Sequence, residues 1–261
     1  MKVIFLAAGQ GTRLRPYTND RPKCMVILNG KPMLHYQLEV LNQLNIPVTN
    51  QAIVGGYLQE KIDAPGLTIF SNPNYDKTNM VGTLFCARDW MQPGEDLIIC
   101  YGDIVYEPRV MQAVIQCESE VCIAADLNWR KLWSLRMDNP LDDAETFKVN
   151  SKTGLITELG KKPKNYNEIE AQYMGIIKIR GDKVAAFIDF YEGLDKKAIY
   201  DGKDFNNMYM TSFIQALIDK GWEVKPAYTE GGWIEVDSID DLLFYEDMVE
   251  KNDCQNIIIL N

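Results

Sequence analysis

Short apolar runs recur along this chain, separated by stretches whose apolar residues fall at helical spacing. Val3 to Leu6, Gln51 to Val54, Leu67 to Phe70, Leu97 to Tyr101 and Val121 to Ala125 have the length and composition of buried strands. Between them, Met33 to Leu44, Thr83 to Met91 and Val110 to Ile115 carry apolar residues three and four apart, as a helix with one buried face does. Strands alternating with helices predict an α/β fold on a doubly wound, mostly parallel sheet, since parallel neighbours need a crossover that a helix supplies. Ligands of such sheets sit beyond the carboxyl ends of the strands, so the residues following each run are the ones that matter for chemistry.

Length and composition narrow the picture. At 261 residues with no repeat, low-complexity stretch or Pro/Gly/Ser-rich linker, the chain reads as a single domain with an elaborated edge. Its apolar runs are far short of a membrane span, and the apolar start lacks a basic region, a long apolar core and a cleavage site, so it reads as a strand and not a signal peptide. The six cysteines form no C-x-x-C pair and several lie in apolar segments, which predicts free thiols packed as small hydrophobes in a reducing cytoplasm. A net charge of −10 argues against a nucleic-acid polymer as partner, so any anionic substrate must be held by local cations and metal.

The first apolar run continues without a break into Gly9-Gln10-Gly11-Thr12-Arg13-Leu14, then Arg15-Pro16 and Arg21-Pro22-Lys23. Backbone N–H groups freed at Gly9 and Gly11, backed by Arg13 and Lys23, suit a polyphosphate, whose oxygens only accept. No glycine directly precedes Lys23, as a P-loop requires, and Leu14 stands where a dinucleotide fingerprint needs its third glycine.

Leu6-Ala7-Ala8-Gly9 through Gly11-Thr12-Arg13-Leu14 to Pro22-Lys23 resembles the signature of the nucleotidyltransferases that activate sugar phosphates and small phospho-alcohols. The resemblance implies that residues Leu6 to Thr12 wrap a nucleoside triphosphate, that Arg13 contacts its outer phosphates and that Lys23 contacts the phosphate under attack. Asp103, after the run ending at Tyr101, resembles the family's metal aspartate and would hold Mg²⁺; a strand-end aspartate is also an ordinary turn residue or helix cap. Glu235 and Asp237, two apart on one strand face, resemble its second metal element, and a shared cation would relieve their repulsion. Alternatively, Asp237 or Ser238 caps a helix from Ile239 to Val249. Asn79 and Thr83, with Gly55-Gly56 nearby, fall where the family contacts the base or sugar, and either is equally readable as a cap or turn residue.

The stretch Asp126 to Arg136 places Trp129, Arg130, Trp133 and Arg136 together after a strand, as a pocket for an anion-bearing acceptor or as an amphipathic helix with its aromatics in the core. Lys161, Lys162, Glu170 and Tyr173 resemble the K-P and E-x-x-x-x-G elements that flank the family's acceptor pocket, with a lysine on the acceptor phosphate and Glu170 on its hydroxyl or amine. The runs Asn74 to Thr83, Leu97 to Val105, Asn139 to Thr146 and Glu168 to Gly175 resemble the CTP:phosphoglutamine cytidylyltransferases of capsule phosphoramidate synthesis. Arg130, Lys131 and Arg136 depart from a choline cage and fit an acceptor with its own carboxylate. The implied activity is Mg²⁺-dependent transfer of CMP from CTP to a small phosphorylated acceptor, L-glutamine phosphate, in the cytoplasm, with residues 1–125 mainly binding nucleotide and 126–261 mainly binding acceptor and completing the metal element. Phosphocholine, a phosphonate or a sugar 1-phosphate remain alternative acceptors, a homodimer is left open, and the lone His35 reads as structural or solvent-exposed. A dinucleotide-dependent oxidoreductase would share the opening loop but not need the three carboxylates, and a silent nucleotide sensor would bind without turnover.

Overall fold

The structure is a computed structural model and describes residues 1–260. Among these, seven strands form the main sheet: β1 (Lys2–Ala7), β2 (Gln51–Gly55), β3 (Thr68–Ser71), β4 (Leu97–Tyr101), β5 (Val121–Asp126), β6 (Gln172–Ile179) and β7 (Val224–Thr229). Their spatial order is β7-β5-β6-β4-β1-β2-β3. All pairings are parallel except those of β6, which runs antiparallel between β4 and β5. The expected doubly wound, mostly parallel sheet is therefore present.

The helices are α1 (Met33–Gln43), α2 (Met80–Phe85), α3 (Pro108–Gln116), α4 (Trp129–Arg136), α5 (Val184–Glu192), α6 (Met210–Asp219) and α7 (Ile239–Glu250). Successive side chains of the inner strands bury on opposite faces: Val3, Phe5, Ile98 and Cys100 join the cluster that holds α1 and α3, whereas Ile4, Leu6, Leu97 and Ile99 join the one under α2, α5 and α6. Covering both faces is why these strands read as unbroken apolar runs. The stretch Thr83 to Met91, expected as one helix, is instead the end of α2 followed by a 3-10 turn at Arg88–Trp90. Val81, Leu84, Ala87 and Met91 all bury in the same cluster, so helical spacing persists across a break that periodicity does not register.

Two features place the site. A short antiparallel ribbon pairs Ile104–Tyr106, directly after β4, with Trp233–Glu235, putting Glu235 opposite Ile104. In β6, Gly175 takes φ 78° and the pairing with β5 shifts register between Tyr173 and Ile177. A Cβ at Gly175 would stand 2.9 Å from the Tyr101 ring, so glycine lets this kinked strand lie against β4.

One cysteine expectation is corrected. Cys117, just after α3, and Cys122, in β5, form a disulfide across the turn joining helix to strand, a C-x₄-C spacing that a search for C-x-x-C passes over. Cys24, Cys100 and Cys254 are buried free thiols and Cys86 is exposed, and burial pushes Cys24 and Cys100 up to about 12. Among the described residues no helix is long and apolar enough to cross a membrane.

Candidate active site

The glycine turn after β1 is shaped around a lysine. Gly11 is left-handed at φ 60°, and its carbonyl accepts a 2.8 Å hydrogen bond from the Thr18 hydroxyl. A Cβ at Gly11 would meet the Lys23 Cβ at 3.0 Å, so the missing side chain makes room for the lysine stem. Leu14 is fully buried and anchors the turn, while Thr12 and Arg13 point outward. Pro22 precedes a 3-10 turn opened by Lys23. The Lys23 amine donates to Asp103 Oδ2 at 2.6 Å and to Asp237 Oδ1, and Arg13 Nη2 lies 3.2 Å from the same Asp237 oxygen.

Asp103 and the Glu235/Asp237 pair, far apart in the chain, are joined by the ribbon, where Val236 N–H also donates to the Asp103 carbonyl at 3.1 Å. Each offers an oxygen within 4.8 Å of the others, and Asp103 Oδ1 is buried without a hydrogen-bond partner. Oxygen donors so gathered, with one carboxylate oxygen left over, fit a divalent cation of the Mg²⁺ type. Electrostatics agree: burial and then the Asp237 and Asp103 charges push the Glu235 carboxyl up to about 8. Burial opposes ionisation of Asp237 too, but Lys23 outweighs it and holds that carboxyl below its usual range. Burial likewise disfavours the Lys23 ammonium, yet Asp103, Asp237 and Glu235 hold its pKa well above the ordinary lysine value.

Behind the triad, Ser238 and Asp241 form a reciprocal cap at the start of α7. The cap reading of Ser238 and the clustering of Asp237 with Lys23 therefore hold together. Arg136 donates from Nε to Asp241 Oδ1 at 2.8 Å and has Nη1 3.9 Å from Glu235 Oε2. It braces the carboxylates from behind.

A cavity of about 140 Å³ opens beside Lys23 and Asp103, lined by Leu6, Ala7, Ala8 and Gly9 and by Asn79 and Thr83. Asn79 caps α2 through its own side chain, and the Thr83 hydroxyl accepts from Asn72 at 2.9 Å, so both have structural duties while facing the cavity. Gly55 ends β2 and does not line it. Sequence reading missed Tyr75 and Gly102, which do; the Gly-Asp pair held the signal for Gly102. A Cβ on Gly102 would stand 2.7 Å from the Leu6 carbonyl oxygen, which accepts the Gly102 N–H at 2.9 Å. Gly102→Ala is expected to destabilise the protein by about 1–3 kcal/mol through this overpacking. Denaturant unfolding reads the effect, and an unchanged midpoint would contradict the close approach.

A second cavity, about 310 Å³, shares Asn79 and Met80 with the first and is lined by Glu235 and Asp237, by Trp133, Tyr173 and Trp233, and by Asp143 and Glu145. Of the expected acceptor contacts, only Trp133 and Tyr173 reach it. Trp129 is buried against Trp133 and Tyr166, and Arg130 stacks on Tyr166 at 3.9 Å. Lys161 pairs with Glu158, Lys162 donates to the carbonyls of Leu141 and Asp142, and Glu170 accepts the Val149 N–H. The amphipathic-helix reading of residues 129–136 is the one realised, because Trp129, Leu132 and Trp133 bury along one side of α4. Asp143 and Glu145 fall in the run Asn139 to Thr146 that carries part of the resemblance, but the sequence names neither as a contact, since the stretch has no strand or helix pattern to place them.

Residues 3–142 match the MobA-like NTP transferase domain. The chain belongs to that family. This nucleotidyltransferase is 46% identical over 262 aligned positions to a CTP:phosphoglutamine cytidylyltransferase of Campylobacter jejuni subsp. jejuni serotype O:2, covering 96% of this chain and 100% of that protein. It is 39% identical to a choline-phosphate cytidylyltransferase of Streptococcus pneumoniae, but over 34% of this chain and 40% of the other. In fold, the transferase is similar to a CTP:phosphocholine cytidylyltransferase structure from Streptococcus pneumoniae, with TM-score 0.68 and 20% identity, covering 95% of this chain and 98% of that one.

Proposed function

We propose that this nucleotidyltransferase joins CMP from CTP to the phosphate of L-glutamine phosphate and releases pyrophosphate. The observation that carries this reading is the 46% identity, end to end, to a CTP:phosphoglutamine cytidylyltransferase. The convergence of Lys23, Asp103, Glu235 and Asp237 between two cavities supplies a place for the transfer. An acceptor phosphate oxygen attacks the α-phosphorus of CTP, the new P–O bond forms as the α–β bridge breaks, and pyrophosphate leaves with the electron pair. The nucleophile is already anionic at neutral pH, so no general base is needed.

Leu6 to Thr12 cradle the triphosphate, Arg13 meets its outer phosphates and Lys23 neutralises charge developing on the phosphate under attack. Asp103, Glu235 and Asp237 would hold Mg²⁺, which when bound supplies charge neutralisation across the phosphates. Asn79 and Thr83 face the cytosine or its sugar. Residues 1–125 thus serve mainly the nucleotide, and 126–261 the acceptor and the second pair of carboxylates. We assign the reaction to the cytoplasm and to capsule phosphoramidate synthesis; four free thiols accord with that compartment, whereas the Cys117–Cys122 disulfide does not.

Pyrophosphate release from CTP is measured in parallel with phosphoglutamine, phosphocholine, 2-aminoethylphosphonate and glucose 1-phosphate. Phosphoglutamine is expected to give the highest kcat/KM; turnover with glucose 1-phosphate alone would overturn the acceptor.

Metal binding has a pH signature. The raised Glu235 carboxyl favours the metal-free fold below about pH 4.5, and that contribution is lost as pH rises toward about 8. A divalent cation prefers the ionised carboxylate, so the rise in Tm on adding Mg²⁺ is expected to be larger at about pH 8.5 than at about pH 6. Equal rises at both would remove Glu235 from the cation site.

A further inference from the structure

The larger cavity has walls of the wrong sign for the acceptor group that the sequence suggested. Glu235, Asp237, Asp143 and Glu145 all line it and, among the described residues, no lysine or arginine does, while Arg130, Lys161 and Lys162 are engaged elsewhere. We infer that Glu145, with Asp143 beside it, recognises an ammonium group on the acceptor; this rests on the transfer reaction proposed above and names the acceptor feature the site selects.

Four observations support the assignment. The loop carrying both carboxylates is held from several sides: Gln172 Nε2 donates to the Glu145 carbonyl at 2.6 Å and Gln172 Oε1 accepts the Glu145 N–H at 3.1 Å. Trp133 Nε1 donates to Asp143 Oδ2 at 3.1 Å, and the Lys162 amine caps the carbonyls of Leu141 and Asp142. A loop fixed in this manner preorganises its two carboxylates for a cation, because little backbone freedom is left to lose. Second, Trp133, Trp233, Tyr101 and Tyr173 contribute rings to the remaining walls, and ring faces attract ammonium groups.

Third, the buried Tyr173 hydroxyl in this cavity wall is left with the neighbouring Tyr101 hydroxyl as its nearest polar partner, and so has hydrogen-bonding capacity for a ligand atom. Fourth, burial and then the charges of Asp143 and Asp201 push the Glu145 carboxyl up to about 7. An ammonium held there both makes a charge-assisted hydrogen bond and relieves the repulsion among the acids. The same cavity reaches Glu235 and Asp237, so an acceptor anchored by its amine at Glu145 presents its phosphate toward Lys23. A sugar phosphate without an amine offers the acidic wall only neutral hydroxyl donors and no compensating charge.

The test compares acceptors differing only in the amine, with CTP and Mg²⁺ and the full chain. Wild type is assayed with phosphoglutamine and its des-amino analogue, and Glu145→Gln and Asp143→Asn with the same pair. The wild type is expected to lose at least about tenfold in kcat/KM when the amine is removed, mostly through KM. Glu145→Gln should bring phosphoglutamine down toward the des-amino level, with a much smaller effect on the des-amino analogue, and Asp143→Asn should do so in part. No discrimination by wild type, or equal losses on both acceptors in a variant of unchanged Tm, overturns the inference. If wild type uses 2-aminoethylphosphonate and not phosphoglutamine, the functional reading has failed, and the inference is decided by the same comparison against ethylphosphonate. Turnover of acceptors without an amine only would overturn both.

Discussion

Lys23→Ala is expected to lower kcat/KM for cytidylyl transfer at least about 100-fold, the loss typical of one preorganised charge contact in a transition state. Among the described residues, Lys23 is the single cation touching both Asp103 and Asp237. Its side chain is only 15% exposed, so water replaces it poorly. Asp103→Asn should give a comparable loss for the opposite reason: the amide retains shape and hydrogen bonding but removes a charged ligand from the cluster. Steady-state pyrophosphate release measures both, and CTP titration separates binding from turnover. Full activity in either variant would take that residue out of the mechanism.

Arg136→Met is expected to destabilise the protein by about 3–5 kcal/mol, since removing one partner of a buried ion pair strands the other. The Arg136 side chain is 3% exposed, and its Nε holds Asp241 Oδ1. The other oxygen of Asp241 accepts from the backbones of Asp237 and Ser238 at 3.0 and 2.9 Å, so the guanidinium indirectly sets where the Asp237 main chain lies. A fall in Tm of about 10 °C follows for a chain of this size, together with weaker Mg²⁺ binding. A fall of less than about 2 °C would show that the ion pair is solvated and its loss tolerated.

How much of this was legible beforehand differs from one residue to the next. Val3 to Leu6 and Leu97 to Tyr101 were readable as strands because both faces of the sheet bury them, leaving unbroken apolar runs. The strand Gln172–Ile179 is as buried, yet it opens on Gln172 and is bent at Gly175, and its antiparallel insertion between β4 and β5 has no local signature. The glycine loop was legible because its demands are local: Gly11 needs a left-handed backbone and space for Lys23. Arg136 was read as an acceptor contact because its position after a strand and its charge are visible in sequence, whereas its partner Asp241 lies 105 residues away.

The sequence by itself determined the class of sheet, the phosphate loop and the types of side chain that would do the chemistry, since these follow from short-range periodicity, backbone freedom and charge. Only the tertiary structure decided which charges meet. The Ile104–Tyr106 and Trp233–Glu235 ribbon carries Glu235 and Asp237 to Asp103, and a loop clamped by Gln172 and Trp133 sets Glu145 and Asp143 in the cavity beside them, where cations were expected. Coulomb energies depend on distance and burial, and neither is written in the spacing of residues along a chain.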